Sequence, residues 1–365
     1  MKSTIHPTIN SLYIHIPFCE HICFYCDFPK LLLRSGYEKK YLDALLSELK
    51  AQKINHKLKT IYIGGGTPSC VDLTPLLKAL QKYITSDTEF TIEANVLNIN
   101  KELLMTYKKY HVNRISLGLQ AMNDSLLKVL GRRHTKEMAI NKIKLIKRYI
   151  KNVNVDLIYG FKELTNRLLK EELKDYLSLD VNHISTYSLE IHKGTKFYNE
   201  KRKEVDPSLM REQFDIIYQT LSKHGYHRYE TSNFARKGFE AKHNLTYWKD
   251  EPYYGIGLGA ASYIGNYRYK NTLNMLTYLN KKYVDEKEKV TLEDDKKYYL
   301  MLNLRLTEGI NLKAYASRFK INLVEEKKEE IEKLKKHKLI KINYNNLVTT
   351  YEGSMLLDII LKELF

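Results

Sequence analysis

No apolar stretch in this chain approaches the roughly 18 residues that a membrane-spanning helix requires, so no such span is expected. The first ten residues, Met1 to Asn10, hold one lysine and no apolar h-region. They do not read as a signal peptide, and a cytoplasmic protein is expected. Cysteine is scarce, with four in 365 residues, which argues against the disulfide framework of a small secreted domain. Arginine-rich arms are also missing. The formal net charge is +17, but the excess is lysine scattered among Tyr, Asn and Ile along the whole length. That pattern speaks to composition and non-specific association, and nucleic acid is not among the partners expected. Apolar content of 43% is enough for an ordinary core, and the length allows one large domain and a small one.

The little cysteine there is lies concentrated. The run Cys19-Glu20-His21-Ile22-Cys23-Phe24-Tyr25-Cys26 carries three of the four thiols, just after an apolar strand. Four grouped thiols would close a structural zinc site or fully ligate a cluster. Three leave one coordination position that the protein does not fill. In a [4Fe–4S] cluster that position is one iron open to an outside ligand. Zinc completed by His15 or His21 is the plainer alternative, awkward because His15 falls inside the strand and His21 inside the loop. Cys70 stands apart and reads as a small structural residue.

Apolar β-branched runs alternate with amphipathic ones. Strands are expected at 12–16, 60–63, 90–93, 114–117, 153–158 and 183–187. Helices are expected near 37–53, 73–83, 101–109, 124–130, 136–149 and 168–177. A further helix opens at Asp206-Pro207, a cap residue followed by proline at the first helical position, and closes at Gly225. Six strand-then-helix units imply parallel strands. Six is short of the eight of a closed barrel, so an open, partial (β/α)6 barrel fits, with a flat doubly wound sheet as its rival.

Polar residues recur at the strand ends. The cysteines follow strand one, and Gly64-Gly65-Gly66-Thr67-Pro68 follows strand two. Glu93 ends strand three, Gln120 follows strand four, Asp156 lies in strand five and Ser188 follows strand six. In a barrel of parallel strands these positions gather at one mouth, where such folds bind ligands. The glycines let backbone approach a ligand closely. Without a P-loop lysine they do not point to a nucleoside triphosphate.

Together these residues resemble a known family. Leu-Tyr-Ile-His-Ile-Pro-Phe followed by Cys-x3-Cys-x2-Cys resembles the radical S-adenosylmethionine (SAM) superfamily. More narrowly, the chain resembles the heme chaperone HemW family, relatives of oxygen-independent coproporphyrinogen III oxidase. The likeness includes Tyr-Ile-Gly-Gly-Gly-Thr-Pro at 62–68, Arg-Ile-Ser-Leu-Gly-Leu-Gln at 114–120, Leu-Gly-Arg at 130–132, Val-Asp-Leu-Ile-Tyr-Gly at 155–160 and His-Asn-Leu-Thr-Tyr-Trp at 243–248. The resemblance implies that Cys19, Cys23 and Cys26 hold three irons and that SAM chelates the fourth. It implies that Tyr13, Tyr25, Phe28, Gly66, Thr67, Glu93, Gln120, Arg132, Asp156 and Ser188 contact SAM. In the family, one electron from the reduced cluster can cleave SAM to methionine and a 5′-deoxyadenosyl radical. That species demands a site closed to water.

Within the family, the resemblance favours the chaperone branch. The oxidase relatives carry a fourth cysteine where this chain has Phe28, and a long N-terminal extension. The His-Asn-x-x-Tyr-Trp motif of the chaperones is intact, which implies His243 as a heme iron ligand with Tyr247 and Trp248 against the porphyrin. A lone loop histidine is otherwise a satisfied hydrogen-bonding residue. Two departures are Phe161-Lys162-Glu163 in place of a Pro-Gly turn, and Val96 in place of a proline. The expected partners are heme, an acceptor protein for it and an electron donor. The expected layout is a barrel over 1–225, an irregular segment over 226–285 covering the mouth, and a C-terminal winged-helix-like domain over 286–365. That last domain serves as a packing or lid module rather than a DNA reader.

Overall fold

The computed structural model describes residues 8–33 and 36–365. Residues 1–7, most of the stretch read as no signal peptide, lie outside them. Six parallel strands form the centre: β1 (Ser11–Ile16), β2 (Thr60–Gly65), β3 (Glu89–Asn95), β4 (Arg114–Gln120), β5 (Asn152–Tyr159) and β6 (His183–Ser188). The crossovers carry α1 (Tyr37–Ala51), α2 (Thr74–Leu80), α3 (Lys101–Lys109), α4 (Asp124–Val129), α5 (Lys136–Tyr149) and α6 (Asn166–Ser178). Short α7 (Lys196–Asn199) precedes α8 (Pro207–Lys223), capped by Asp206, whose carboxylate accepts the Ser208 N–H. Thus the six units and their order match the sequence reading.

Why this sheet has an inside and an outside follows from its period of two. Leu12, Ile14 and Ile16 of β1, Ile61 and Ile63 of β2, and Phe90 and Ile92 of β3 are buried against the helices. The alternate positions are polar or aromatic: Tyr13 and His15, Thr60 and Tyr62, Glu89, Thr91 and Glu93, Arg114 and Ser116, Asn154 and Asp156, His183 and Ser185. The interior is therefore a polar lining, apt for a ligand and costly unless its groups find partners.

The region 226–285 is more regular than expected. β7 (His227–Arg228) and β8 (Asn233–Ala235) extend the sheet antiparallel beyond β6. After α9 (Lys242–Trp248), β9 (Tyr254–Ile256) pairs parallel with the other edge of β1, giving the order β9-β1-β2-β3-β4-β5-β6-β8-β7. β10 (Ala261–Ile264), β11 (Tyr267–Asn271) and β12 (Val284–Lys289) make a separate antiparallel sheet, with α10 (Met275–Leu279) between the last two.

A domain boundary at 286 is thus corrected, because it would cut β12 between its hydrogen-bonded partners. The C-terminal unit starts after it, with α11 (Leu292–Asn303), β13 (Ile310–Asn311) and α12 (Leu312–Phe319). Two more helices, α13 (Leu323–Glu326) and α14 (Lys328–Lys336), lead into a hairpin of β14 (Ile340–Asn343) and β15 (Asn346–Thr349). These elements and the closing helix α16 (Leu357–Leu364), after short α15 (Tyr351–Met355), bury their own core, including Tyr299, Tyr315, Phe319, Ile331, Leu347 and Ile360. Helices around a small winged sheet agree with the expected architecture.

Candidate functional site

The cysteine loop leaves β1 and is pinned at several points. Phe18 and Cys19 pair with Leu31 and Leu32, and Lys30 Nζ donates to the carbonyls of Cys26 (2.5 Å) and Phe28 (3.2 Å). His15 Nε2 bonds the Pro29 carbonyl oxygen (2.9 Å) and its Nδ1 the Tyr13 hydroxyl (2.9 Å). His21 Nε2 bonds the Gly131 carbonyl oxygen at 3.0 Å. Both histidines help hold the loop; His15, with both ring nitrogens engaged, is removed as a zinc ligand in this arrangement, while His21 keeps Nδ1. Sequence reasoning missed that role. The alternation in β1 that turns His15 inward was the available signal.

The three thiols border a cavity of about 350 Å³ at the carboxyl ends of the strands. Of the ten residues expected to contact SAM, nine line it: Tyr25, Phe28, Gly66, Thr67, Glu93, Gln120, Arg132, Asp156 and Ser188. Tyr13 does not. It is an inward-facing residue deeper in β1, its ring 6.1 Å from that of Tyr62 and stacked on it. Tyr62, Asn95, Ser116, Tyr187 and His192 line the cavity without having been singled out.

The thiols have specific neighbours. Thr67 Oγ1 donates to Cys19 Sγ (3.4 Å) and Arg132 Nη1 to Cys23 Sγ (3.3 Å), while Arg132 Nη2 holds the Gly118 carbonyl oxygen at 2.5 Å. Gly66 runs so close beneath Cys19 that a Cβ there would stand 3.0 Å from its sulfur and 2.7 Å from the Phe18 carbonyl oxygen. Gln120 is held at φ 73°, left-handed backbone that a non-glycine residue adopts at a cost, just where β4 slips register against β5. Burial pushes the Cys19 thiol up to about 11 and raises that of Cys26. Among the described residues, no three His, Cys, Asp or Glu side chains converge on a point for a single metal ion. Soft thiol donors spread around a cavity fit a sulfide-bridged cluster better than one zinc ion.

The floor holds two carboxyls. Glu93 accepts from the Tyr62 hydroxyl (2.7 Å) and the Gly65 N–H (3.0 Å), and Asp156 from Asn154 Nδ2 (2.8 Å). Burial pushes Glu93 up to about 7 and Asp156 up to about 6, against the hydrogen bonds that hold each down. Both therefore exchange protons near neutrality, so a ligand that donates to them selects the ionised form.

His243 is not at this mouth. α9 lies across the opposite end of the barrel, at the start of the strands. The Glu89 carboxylate accepts the N–H groups of Lys242 (3.1 Å) and His243 (3.0 Å) at the helix N-terminus, and Thr246 Oγ1 meets Ser11 Oγ at 2.8 Å. His243 is 1% exposed. Its Nδ1 bonds Thr60 Oγ1 (2.8 Å) and its Nε2 the Tyr247 hydroxyl (2.7 Å). Burial pushes the imidazole down to about 3, so it stays neutral. In this conformation neither nitrogen is free for iron, and Trp248 is half-buried with Arg305 over its ring. The expectation that 226–285 covers the mouth is likewise corrected: among the described residues, none of that segment lines the cavity. The α9 side chains instead find their partners at the strand beginnings.

Comparison with known proteins bears on this site. The profile of the radical SAM superfamily matches residues 13–176, and that of the HemN C-terminal domain matches residues 290–356. The chain is 36% identical over 361 residues to the heme chaperone HemW of Lactococcus lactis, covering 94% of each protein. It is 37% identical to the heme chaperone HemW of Bacillus subtilis, over 85% of this chain and 87% of that one. Among solved structures it resembles coproporphyrinogen III oxidase (HemN) from Escherichia coli, with a TM-score of 0.85 at 22% identity over 97% of this chain and 89% of that one. At that identity the likeness is one of fold.

Proposed function

The chain belongs to the heme chaperone HemW family, and from that membership we propose that it binds heme and passes it to an acceptor protein, with a [4Fe–4S] cluster and SAM at the barrel mouth. The observation that carries the reading is the convergence of three loop thiols after β1 with residues from the ends of the other five central strands on one cavity. Cys19, Cys23 and Cys26 would hold the cluster. When bound, it would supply one electron to SAM from a partner electron donor.

The chain's own residues do the rest. Arg132 places positive charge on the Cys23 sulfur. Gly66 and Thr67 bring backbone and a hydroxyl against Cys19. Glu93 and Asp156 offer acceptors to ligand donors, and Tyr25 and Phe28 add aromatic wall to the cavity. Four free thiols fit a reducing, cytoplasmic compartment. Phe28, where the oxidase relatives have cysteine, weighs against porphyrinogen oxidation.

His243 is the proposed heme ligand, and it can serve only if α9 leaves Thr60. A second reading, favoured by the two satisfied ring nitrogens, makes His243 a pin for α9 and puts heme elsewhere. Anaerobic heme titration of the wild type beside His243→Ala decides between them. A loss of heme affinity of about tenfold or more supports the ligand role. Unchanged affinity with a lower melting temperature supports the pin.

A further inference from the structure

Tyr62 belongs to two sites at once. Its hydroxyl donates to Glu93 on the cavity floor at 2.7 Å, and its ring stacks on His243 with centroids 5.1 Å apart and planes 25° apart. Thr60, which holds His243 Nδ1, is two residues away on the same face of β2. Glu89, which holds the start of α9, is four residues before Glu93 on the same face of β3. Two adjacent strands thus carry both the floor of the cavity and the seat of α9, and one aromatic ring separates them.

A second route runs parallel. Tyr13 stacks on Tyr62 and stands 6.4 Å from the His243 ring, and His15 links its hydroxyl to Pro29 of the cysteine loop. The layer between is not locked by its own bonds. Thr91 Oγ1, Arg114 Nε and Asn152 Oδ1 follow Tyr62 in register across β3, β4 and β5, and all three are buried without a partner among the described residues. Such a layer has spare hydrogen-bonding capacity for a second arrangement.

We propose that Tyr62 is a positioning residue that couples the cavity to α9. A ligand that engages Glu93 takes over the acceptor holding the Tyr62 hydroxyl, and the ring that seats His243 is released with it. Coupling of this kind shifts a two-state equilibrium only as far as the ligand prefers one state. Here the preference is supplied by the contested Glu93 oxygen. Occupancy of the mouth then loosens the helix at the far end of the barrel and uncovers His243. The proposal deepens the functional reading above and rests on SAM occupying the cavity.

The chain's one tryptophan, Trp248, ends α9 and reports on it directly. The test is an anaerobic SAM titration of the cluster-loaded protein, read by Trp248 fluorescence and, in parallel, by the electron paramagnetic resonance (EPR) signal of the reduced cluster. Wild type is expected to change its Trp248 emission as SAM saturates. Tyr62→Phe keeps the ring and loses the hydroxyl. At saturating SAM its emission change is expected to be at least about fivefold smaller. Thr60→Val, at the seat of α9 rather than in the cavity, is expected to shift emission toward the SAM-bound value before SAM is added. Emission indifferent to SAM while the EPR signal responds, or a full response in Tyr62→Phe, overturns the coupling. An EPR signal that ignores SAM overturns the functional reading itself, and the coupling with it.

Discussion

Cys23 receives the Arg132 guanidinium, and removing it leaves two thiolates for three corners. Cys23→Ala is expected to lower iron and sulfide content after anaerobic reconstitution by at least about tenfold, with the secondary structure unchanged by circular dichroism. Glu93 and Asp156 hold their protons more tightly folded than unfolded. Each therefore favours the fold below its unfolded value, and that contribution is lost as the pH rises through about 7 and about 6 respectively. For a ligand that donates to Glu93 the sign is opposite: affinity rises with pH as the carboxyl ionises. SAM affinity is expected to climb roughly tenfold between about pH 6 and pH 8, and Glu93→Gln to flatten most of that rise in equilibrium binding. The cysteines could be read from the sequence by their spacing after a strand, and the floor carboxyls because they stand near the ends of period-two strands. Tyr62 could not, since its importance comes from a helix about 180 residues further on.

At the scale of elements, the six central strands and their helices were legible because each is long enough to show its period. Region 226–285 was not. β7, β8 and β9 are two or three residues long, too short for alternation. α9 starts after Ala241, which has no side chain to cap it. Its cap is Glu89, on a strand far back in the chain, so no local signal announces the helix or the end of the barrel it closes. Glu89→Ala leaves the buried His243 N–H and the part-buried Lys242 N–H unpaired and is expected to cost about 2 kcal/mol, measured as a lower denaturation midpoint in urea. Glu89→Gln, which keeps one acceptor, should lose about half as much.

Across the whole molecule, the C-terminal unit is fastened beside α9 rather than over the mouth. Asp250, just after α9, is buried to 1% and takes Arg268 of β11 (2.8 Å) and Arg318 of α12 (2.8 Å). Thr307 N–H donates to the Tyr229 carbonyl oxygen at 3.0 Å, and Arg211 of α8 grips Glu352 at 2.8 Å through both Nη atoms. Asp250→Ala strands Arg268, leaves Arg318 to Asp295 alone, and is expected to destabilise the protein by roughly 3 kcal/mol. The exposed Arg211–Glu352 pair is screened by solvent and contributes little, so denaturant titration of Asp250→Ala beside Glu352→Ala is expected to show a large shift for the first and next to none for the second. The winged-helix-like character of this unit was legible in the sequence, while its docking depends on single charged residues that no periodicity marks.

The measurement that tests the whole account most directly is EPR of the reduced, anaerobically reconstituted protein with and without SAM, beside metal analysis. The account predicts about four irons and four sulfides per chain and a cluster signal that changes when SAM is added. Zinc in place of iron, or a signal identical in both samples, would contradict it.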